Sequence, residues 1–160
     1  MMCRPIVHST VFLGFVFWLA VLQPFTHAAA AEESASMPPK ELLPCPSTPN
    51  CVSSQSLDPA HRVEPLHYES SGEEAWRRLR RVILALPRSH VVEDVQGYMR
   101  VEFRSPVLQF VDDVELLLDD ANKAIQIRSA SRTGYWDIGV NRKRVERIRS
   151  QFRISLDTAT

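Results

Sequence analysis

Apolar positions along the chain change period several times, and each change marks an element. Ala75, Trp76, Leu79, Val82, Ile83 and Leu86 recur three and four residues apart, which places them on one stripe of a helix. Ser71-Gly-Glu-Glu74 ahead of them is a capping box, and Pro87 ends the run. Arg77, Arg78 and Arg81 fall away from the stripe. Glu73 with Arg77 and Glu74 with Arg78 have the spacing of helical ion pairs. A second stripe, Val145, Ile148 and Phe152, predicts a closing helix. Asn141 is its expected N-cap, and Arg142 with Glu146 its expected surface pair.

Before the first helix and between the two the period falls to two. His61 to Glu69 reads as an edge strand, since Pro65 removes a ladder donor. His90–Val95 and Tyr98–Arg104 flank Gln96-Gly97 as a hairpin, with Val95 opposite Tyr98 and Glu93 opposite Arg100. Met99, Val101 and Phe103 form its inner face. Ser105-Pro106 turns the chain into a strand from Leu108 to Asp119, and Lys123–Ser131 returns after a turn at Asp119–Asn122. With Asp119 opposite Asn122, Asp113 faces Arg128, Glu115 faces Gln126 and Asp112 faces Ser129. Alternation then puts Phe110, Val114, Leu116, Leu118, Ile125 and Ile127 on the core face. Asp113, Glu115 and Arg128 fall on the solvent face. Asp112, Ser129 and Ser131 share the core face, at the end remote from the turn. The order strand, helix, four strands, helix predicts an α+β fold. An antiparallel sheet of about five strands packs on two helices, in the manner of helix-grip or TATA-binding-protein-like (TBP-like) domains.

The N-terminal pattern is different in kind. Val11 to Leu22 is an unbroken apolar run, preceded by Arg4 and followed by Ala28-Ala29-Ala30. It is shorter than the ~20 residues of a membrane span and fits a secretory signal cleaved after Ala30 or a neighbour. The expected organisation is a signal peptide over 1–31, a flexible linker over 32–42, a single domain over 43–156 and a tail over 157–160. The mature chain is then exported, periplasmic or extracellular, with no transmembrane helix; an uncleaved segment would instead tether it to a membrane. After cleavage Cys45 and Cys51 are the remaining cysteines, and outside the cytoplasm such a pair predicts a disulfide. A zinc site would need two further ligands, and a redox pair would more typically be spaced Cys-x-x-Cys.

Pro44-Cys-Pro-Ser-x-Pro-Asn-Cys-Val-Ser-Ser54, Phe103-Arg-Ser105, Phe110-Val-Asp-Asp-Val-Glu115, Arg128-Ser-Ala-Ser-Arg-x-Gly-Tyr135 and Asp137-x-Gly-Val-Asn-Arg142 occur in that order. With them, residues 43–153 resemble the domain-of-unknown-function 1499 (DUF1499) family. The resemblance implies a small, exported or membrane-associated domain and carries over no catalytic or binding residue.

Charge adds little steering. Lys+Arg and Asp+Glu both number 19, so nothing favours nucleic acid as a partner. Two places carry candidate chemistry. Asp112 is an acid on an apolar face, which costs free energy unless it is paired. Desolvated it suits acid/base catalysis; paired it anchors the loop after Ser131. The second place is the loop from Arg132 to Arg142, where Arg132, Tyr135, Asp137, Asn141 and Arg142 are the candidate ligand-binding residues. It leads into a helix start, where free amides favour anions, and Tyr135 and Trp136 are available to line a pocket. The other reading is a folded connector in which Asp137 neutralises an arginine and the aromatics cap the core. No nucleophile elbow, phosphate loop or zinc-protease motif occurs. No cofactor is indicated, and Asp112, Asp113 and Glu115 cannot all converge on one metal because neighbours point to opposite faces. The expected function is binding of a small anionic or amphipathic ligand, or an envelope protein partner, at the 132–142 loop. The alternatives are a structural cell-envelope module and an enzyme using Asp112.

Overall fold

The computed structural model describes residues 41–157. The expected signal segment, most of the linker and the last three residues lie outside the described residues. Six strands and two helices follow in the order β1 (Cys51–Ser53), β2 (Leu66–His67), α1 (Gly72–Ala85), β3 (Ser89–Val95), β4 (Tyr98–Arg104), β5 (Val111–Asp119), β6 (Ala124–Ser131) and α2 (Val140–Asp157). Every strand pair is antiparallel, and the sheet runs β1-β6-β5-β4-β3, with β2 also on β6. The fold is α+β. Two short strands take the edge expected of one: β1 pairs with the far end of β6 and β2 with its start. Of the expected His61–Glu69 strand, Leu66 and His67 pair with β6, and Arg62 makes an isolated parallel bridge to Ser53 of β1.

The helices form where the capping and the stripe require. The Ser71 side chain accepts the Glu74 amide, and Leu86, before Pro87, leaves helical geometry. Ala75, Leu79 and Ile83 of α1 and Val145, Ile148 and Phe152 of α2 pack on Met99, Val101, Val114, Leu116, Ile125 and Ile127 of the sheet. Each such aliphatic side chain contributes about 1.5–3 kcal/mol on burial, so this layer supplies most of the driving force. Leu42, assigned to the linker, is also buried. The Cys45–Cys51 disulfide is formed, with Cα atoms 5.6 Å apart.

The structure corrects several expectations. The β3–β4 hairpin has the expected register around Gly97, at φ 73°. The β5–β6 register is displaced by two residues: Asp119 faces Ala124, so Glu115 faces Arg128, Asp113 faces Ala130 and Asp112 faces Ser131. The cause is the turn. Asp120–Asn122 forms a 3-10 turn and Lys123 is left-handed at φ 50°, which consumes two more residues than a two-residue loop. An even displacement preserves the faces. Phe110 is not in the core; Ser105 and Phe110 close a six-residue loop through Ser105 N–H to Phe110 O at 2.9 Å, and the strand begins only at Val111. Arg78 is not solvated but buried, its guanidinium 4.2 Å from the centre of the Phe152 ring, and Glu74 acts on it as a nearby charge. Glu115 and Arg128 are buried although they lie on the outer face.

Candidate functional site

One end of the sheet gathers the residues singled out for chemistry. There β3 and β5 begin and β4 and β6 end, so loops 105–110 and 132–139 leave side by side. The amide of Arg104 bonds to the carbonyl of Arg88 and that of Arg132 to Val111. The C-terminus of α1 and the N-terminus of α2 reach the same end.

Asp112 is buried and paired. Arg144 of α2 donates from Nη2 to its Oδ2 at 2.5 Å. Arg144 also donates from Nη1 to Asn141 Oδ1 at 2.7 Å and Ser129 Oγ at 3.1 Å, and its guanidinium lies 5.0 Å from the centre of the Phe103 ring. The pairing anchors α2 to the sheet and answers the cost of an acid on an apolar face. Asn141 is fully buried and is not the N-cap. Its amide nitrogen reaches the Asn50 carbonyl (2.9 Å), Ser131 Oγ (3.0 Å) and Asp137 Oδ2 (2.9 Å), while its oxygen accepts from Ser129 Oγ at 2.6 Å. Asn50 in turn donates to the Gly134 carbonyl at 2.5 Å. One polar network thus joins the cysteine loop, β5, β6, the 132–139 loop and α2. Asp112, Ser129, Ser131, Asp137 and Asn141, quoted above among the motif residues, converge in it from positions far apart in sequence.

The loop candidates are placed differently from one another. Asp137 caps α2: its carboxylate accepts the amides of Gly139 and Asn141, both at 2.9 Å, so it occupies the anion position at the helix start and neutralises no arginine. Arg132 turns to the outer face of the sheet, bonding Asp113 (2.6 and 2.7 Å) and Glu102 (2.6 Å). Arg142 turns the other way, donating to the carbonyls of Ala60 (2.7 Å) and Arg62 (2.8 Å), and Glu146 pairs with Arg149 instead. Tyr135 and Trp136 form an edge-to-face pair with centroids 5.2 Å apart and are both exposed, so they do not cap the core. Asp137 and Asn141 therefore meet, whereas Arg132, Tyr135 and Arg142 do not converge with them on one ligand position.

What does converge is a cleft beside the network. About 310 Å³ in volume, it lies between the C-terminus of α1, the end of β4 and the first two turns of α2. Leu86, Pro87, Phe103, Pro106 and Val140 give it apolar walls. Arg88, Arg104, Lys143, Arg144 and Arg147 line it with positive charge, and Asp112 is its acid. Arg144 is committed to Asp112 and Arg104 to Glu102 at 3.1 Å. Among the described residues, Arg88, Lys143 and Arg147 are exposed and have no acid partner. A groove of about 680 Å³ between α1 and α2 adjoins the cleft through Leu86, Pro87 and Arg147 and continues past Val82, Ala85 and Ile154. Sequence reasoning missed Arg144. Its signal was position: it directly precedes Val145 on the buried stripe, where an arginine requires an acid, and Asp112 was the acid left without a partner. Among the described residues no group of three acids, histidines or cysteines is placed to hold a metal.

The outer face carries a second buried polar cluster. Arg128 Nη1 donates to Glu115 Oε2 at 2.8 Å and Tyr98 OH to Glu115 Oε1 at 2.9 Å. Burial, then the bond to Glu115, pushes the Tyr98 hydroxyl above the ordinary phenol range. Burial likewise raises Tyr68, whose hydroxyl bonds to Asp120. The Arg132 bond holds the Glu102 carboxyl below the ordinary carboxylate range. A raised tyrosine contributes stability that is present below its unfolded value near 10 and lost as pH rises through the folded value. A lowered glutamate contributes stability that is present above its unfolded value near 4.3 and lost as pH falls through the folded value. Urea unfolding across pH is therefore expected to show an alkaline limb above about pH 10. Tyr98→Phe should make that limb shallower, Tyr68 still contributing to it, and leave the acid limb in place; an unchanged alkaline limb would contradict the assignment to Tyr98.

No match is found among curated proteins or among solved structures. A family model does match, over residues 41–152, and its span takes in the disulfide loop, the whole sheet, α1 and the part of α2 that lines the cleft. The chain belongs to the family described as protein of unknown function (DUF1499).

Proposed function

We propose that the domain binds a small amphipathic anion in the cleft between the α1 C-terminus and the first turns of α2. The 132–142 loop contributes the lip at Val140. The observation that carries this is the set of three cations without acid partners, Arg88, Lys143 and Arg147, set around apolar walls. Uncompensated like charges lining one cleft repel one another and are stabilised by an anion. The volume is that of an ordinary small-molecule site, and the adjoining groove suits the alkyl part of the ligand. The buried network behind the cleft, with Asp112 held by Arg144, holds the wall in place and needs no chemistry of its own. We also infer that the domain works outside the cytoplasm. The formed Cys45–Cys51 disulfide supports this reading, as does the signal-like N-terminus. A mature N-terminus near residue 31, read by mass spectrometry of the expressed chain, would test it.

A thermal-shift titration of the full chain with dodecyl phosphate, and with an uncharged dodecyl maltoside of the same tail, tests the binding reading. The anionic amphiphile should raise the melting temperature, because a ligand of the native state alone stabilises it by RT ln(1 + [L]/Kd). Arg88→Gln, Lys143→Gln and Arg147→Gln together should weaken binding at least about tenfold, since hydrogen bonds to charged groups contribute about 1.5–3 kcal/mol each. These exposed positions should leave the unliganded stability within about 0.5 kcal/mol. Equal shifts from both amphiphiles, or an undiminished shift in the triple variant, would sink the proposal.

A further inference from the structure

The same end of the sheet exposes apolar side chains that the cleft does not use. In the uncharged 105–110 loop Val107 is 82% exposed, Leu108 67% and Phe110 55%. In the neighbouring loop Trp136 is 72% exposed and Ile138 88%. The charged residue between Thr133 and Asn141 is Asp137, whose two oxygens are already bonded to backbone amides. Neither loop tip therefore brings an unsatisfied charge to a low-dielectric medium. Behind the tips stand Arg88 and Lys143, which have no acid partner among the described residues, and Arg104, which is paired with Glu102. At the opposite end Glu73 and Glu74 open α1, Glu73 being paired with Arg77, and the adjacent β5–β6 turn carries Asp119 and Asp120, Asp120 being paired with Lys123.

We propose that this end docks on the surface of an anionic lipid bilayer, with Leu108, Phe110, Trp136 and Ile138 in the interface and the cations on the lipid headgroups. Charge complementarity selects the occupant: apolar tips with an aromatic pair suit the headgroup boundary, and the ring of cations behind them suits an anionic leaflet. The inference stands on the two loops and does not require the cleft to be filled.

The test uses the full chain with Trp18→Phe and Trp76→Phe, which leaves Trp136 as the reporter. Membrane contact by any other segment then stays silent. Vesicles of phosphatidylcholine with phosphatidylglycerol should shift Trp136 emission to the blue, and bromine-labelled acyl chains should quench it. Neutralising Arg88 or Lys143 should each weaken the response about fivefold at low salt, and Leu108→Ser with Ile138→Ser should abolish it while unfolding cooperatively as before. Three outcomes overturn the proposal. The vesicles bind and Trp136 is neither shifted nor quenched; zwitterionic vesicles act as strongly as anionic ones; or the emission shifts with protein concentration in the absence of lipid, which makes this end a contact between copies.

Discussion

Asn141→Ala is expected to destabilise the domain by about 3–5 kcal/mol, at one to a few kcal/mol for each buried polar group left unpaired. The side chain is fully buried and its oxygen receives both Ser129 and Arg144. Its nitrogen serves Asn50, Ser131 and Asp137. Alanine leaves the Ser129 hydroxyl and one arm of Arg144 short of an acceptor inside the protein. It also cuts the tie between the cysteine loop and α2. The effect opposes helix propensity, which favours alanine over asparagine by roughly half a kcal/mol, so the loss is attributable to the network. Against a total stability of about 5–15 kcal/mol for a domain, such a loss is readily measured by denaturant unfolding. A change under about 1 kcal/mol would show that water replaces the side chain and that the network does not hold the helix.

The second large effect lies on the other face. Arg128→Met should cost about 3–5 kcal/mol, because it strands the Glu115 carboxylate in a buried position. The double variant Arg128→Met, Glu115→Leu should recover most of that loss, since a buried pair replaced by apolar groups of similar volume is often neutral or stabilising. Tyr98 then loses its acceptor, so recovery should be more complete when Tyr98→Phe is added. Strictly additive losses in the unfolding cycle would contradict a direct Glu115–Arg128 interaction.

The sequence made the periodic parts of the fold legible. The α1 cap at Ser71, the stop before Pro87, the Gly97 hairpin and the inner faces of β4, β5 and β6 each follow from local rules. Faces are fixed by parity, so they held even where the β5–β6 pairing moved by two residues. Partners across β5 and β6 were not legible, because the 3-10 turn and the left-handed Lys123 depend on side-chain bonds from Asp119 that no turn dipeptide announces. The buried arginines were hidden for another reason. Arg78 and Arg128 carry long stems that fill apolar space, so position on the helix or on the strand alone misreads them as solvated. The candidate site was half visible: Asp112 stood out as an acid on an apolar face, but its partner came from a different element. The cations of the cleft arrive from the turn after α1, from β4 and from α2 together, and no single stretch of sequence carries that convergence.

The most direct measurement is a titration of the isotope-labelled full chain with dodecyl phosphate below its micelle concentration, followed through the backbone amides. The account predicts shifts concentrated at Leu86 and Arg88, Phe103–Ser105 and Val140–Arg147, saturating at a single site, with Gly97 and Asn122 at the far end unmoved. Shifts that spread evenly over the surface, or that are confined to residues outside the cleft, would contradict it.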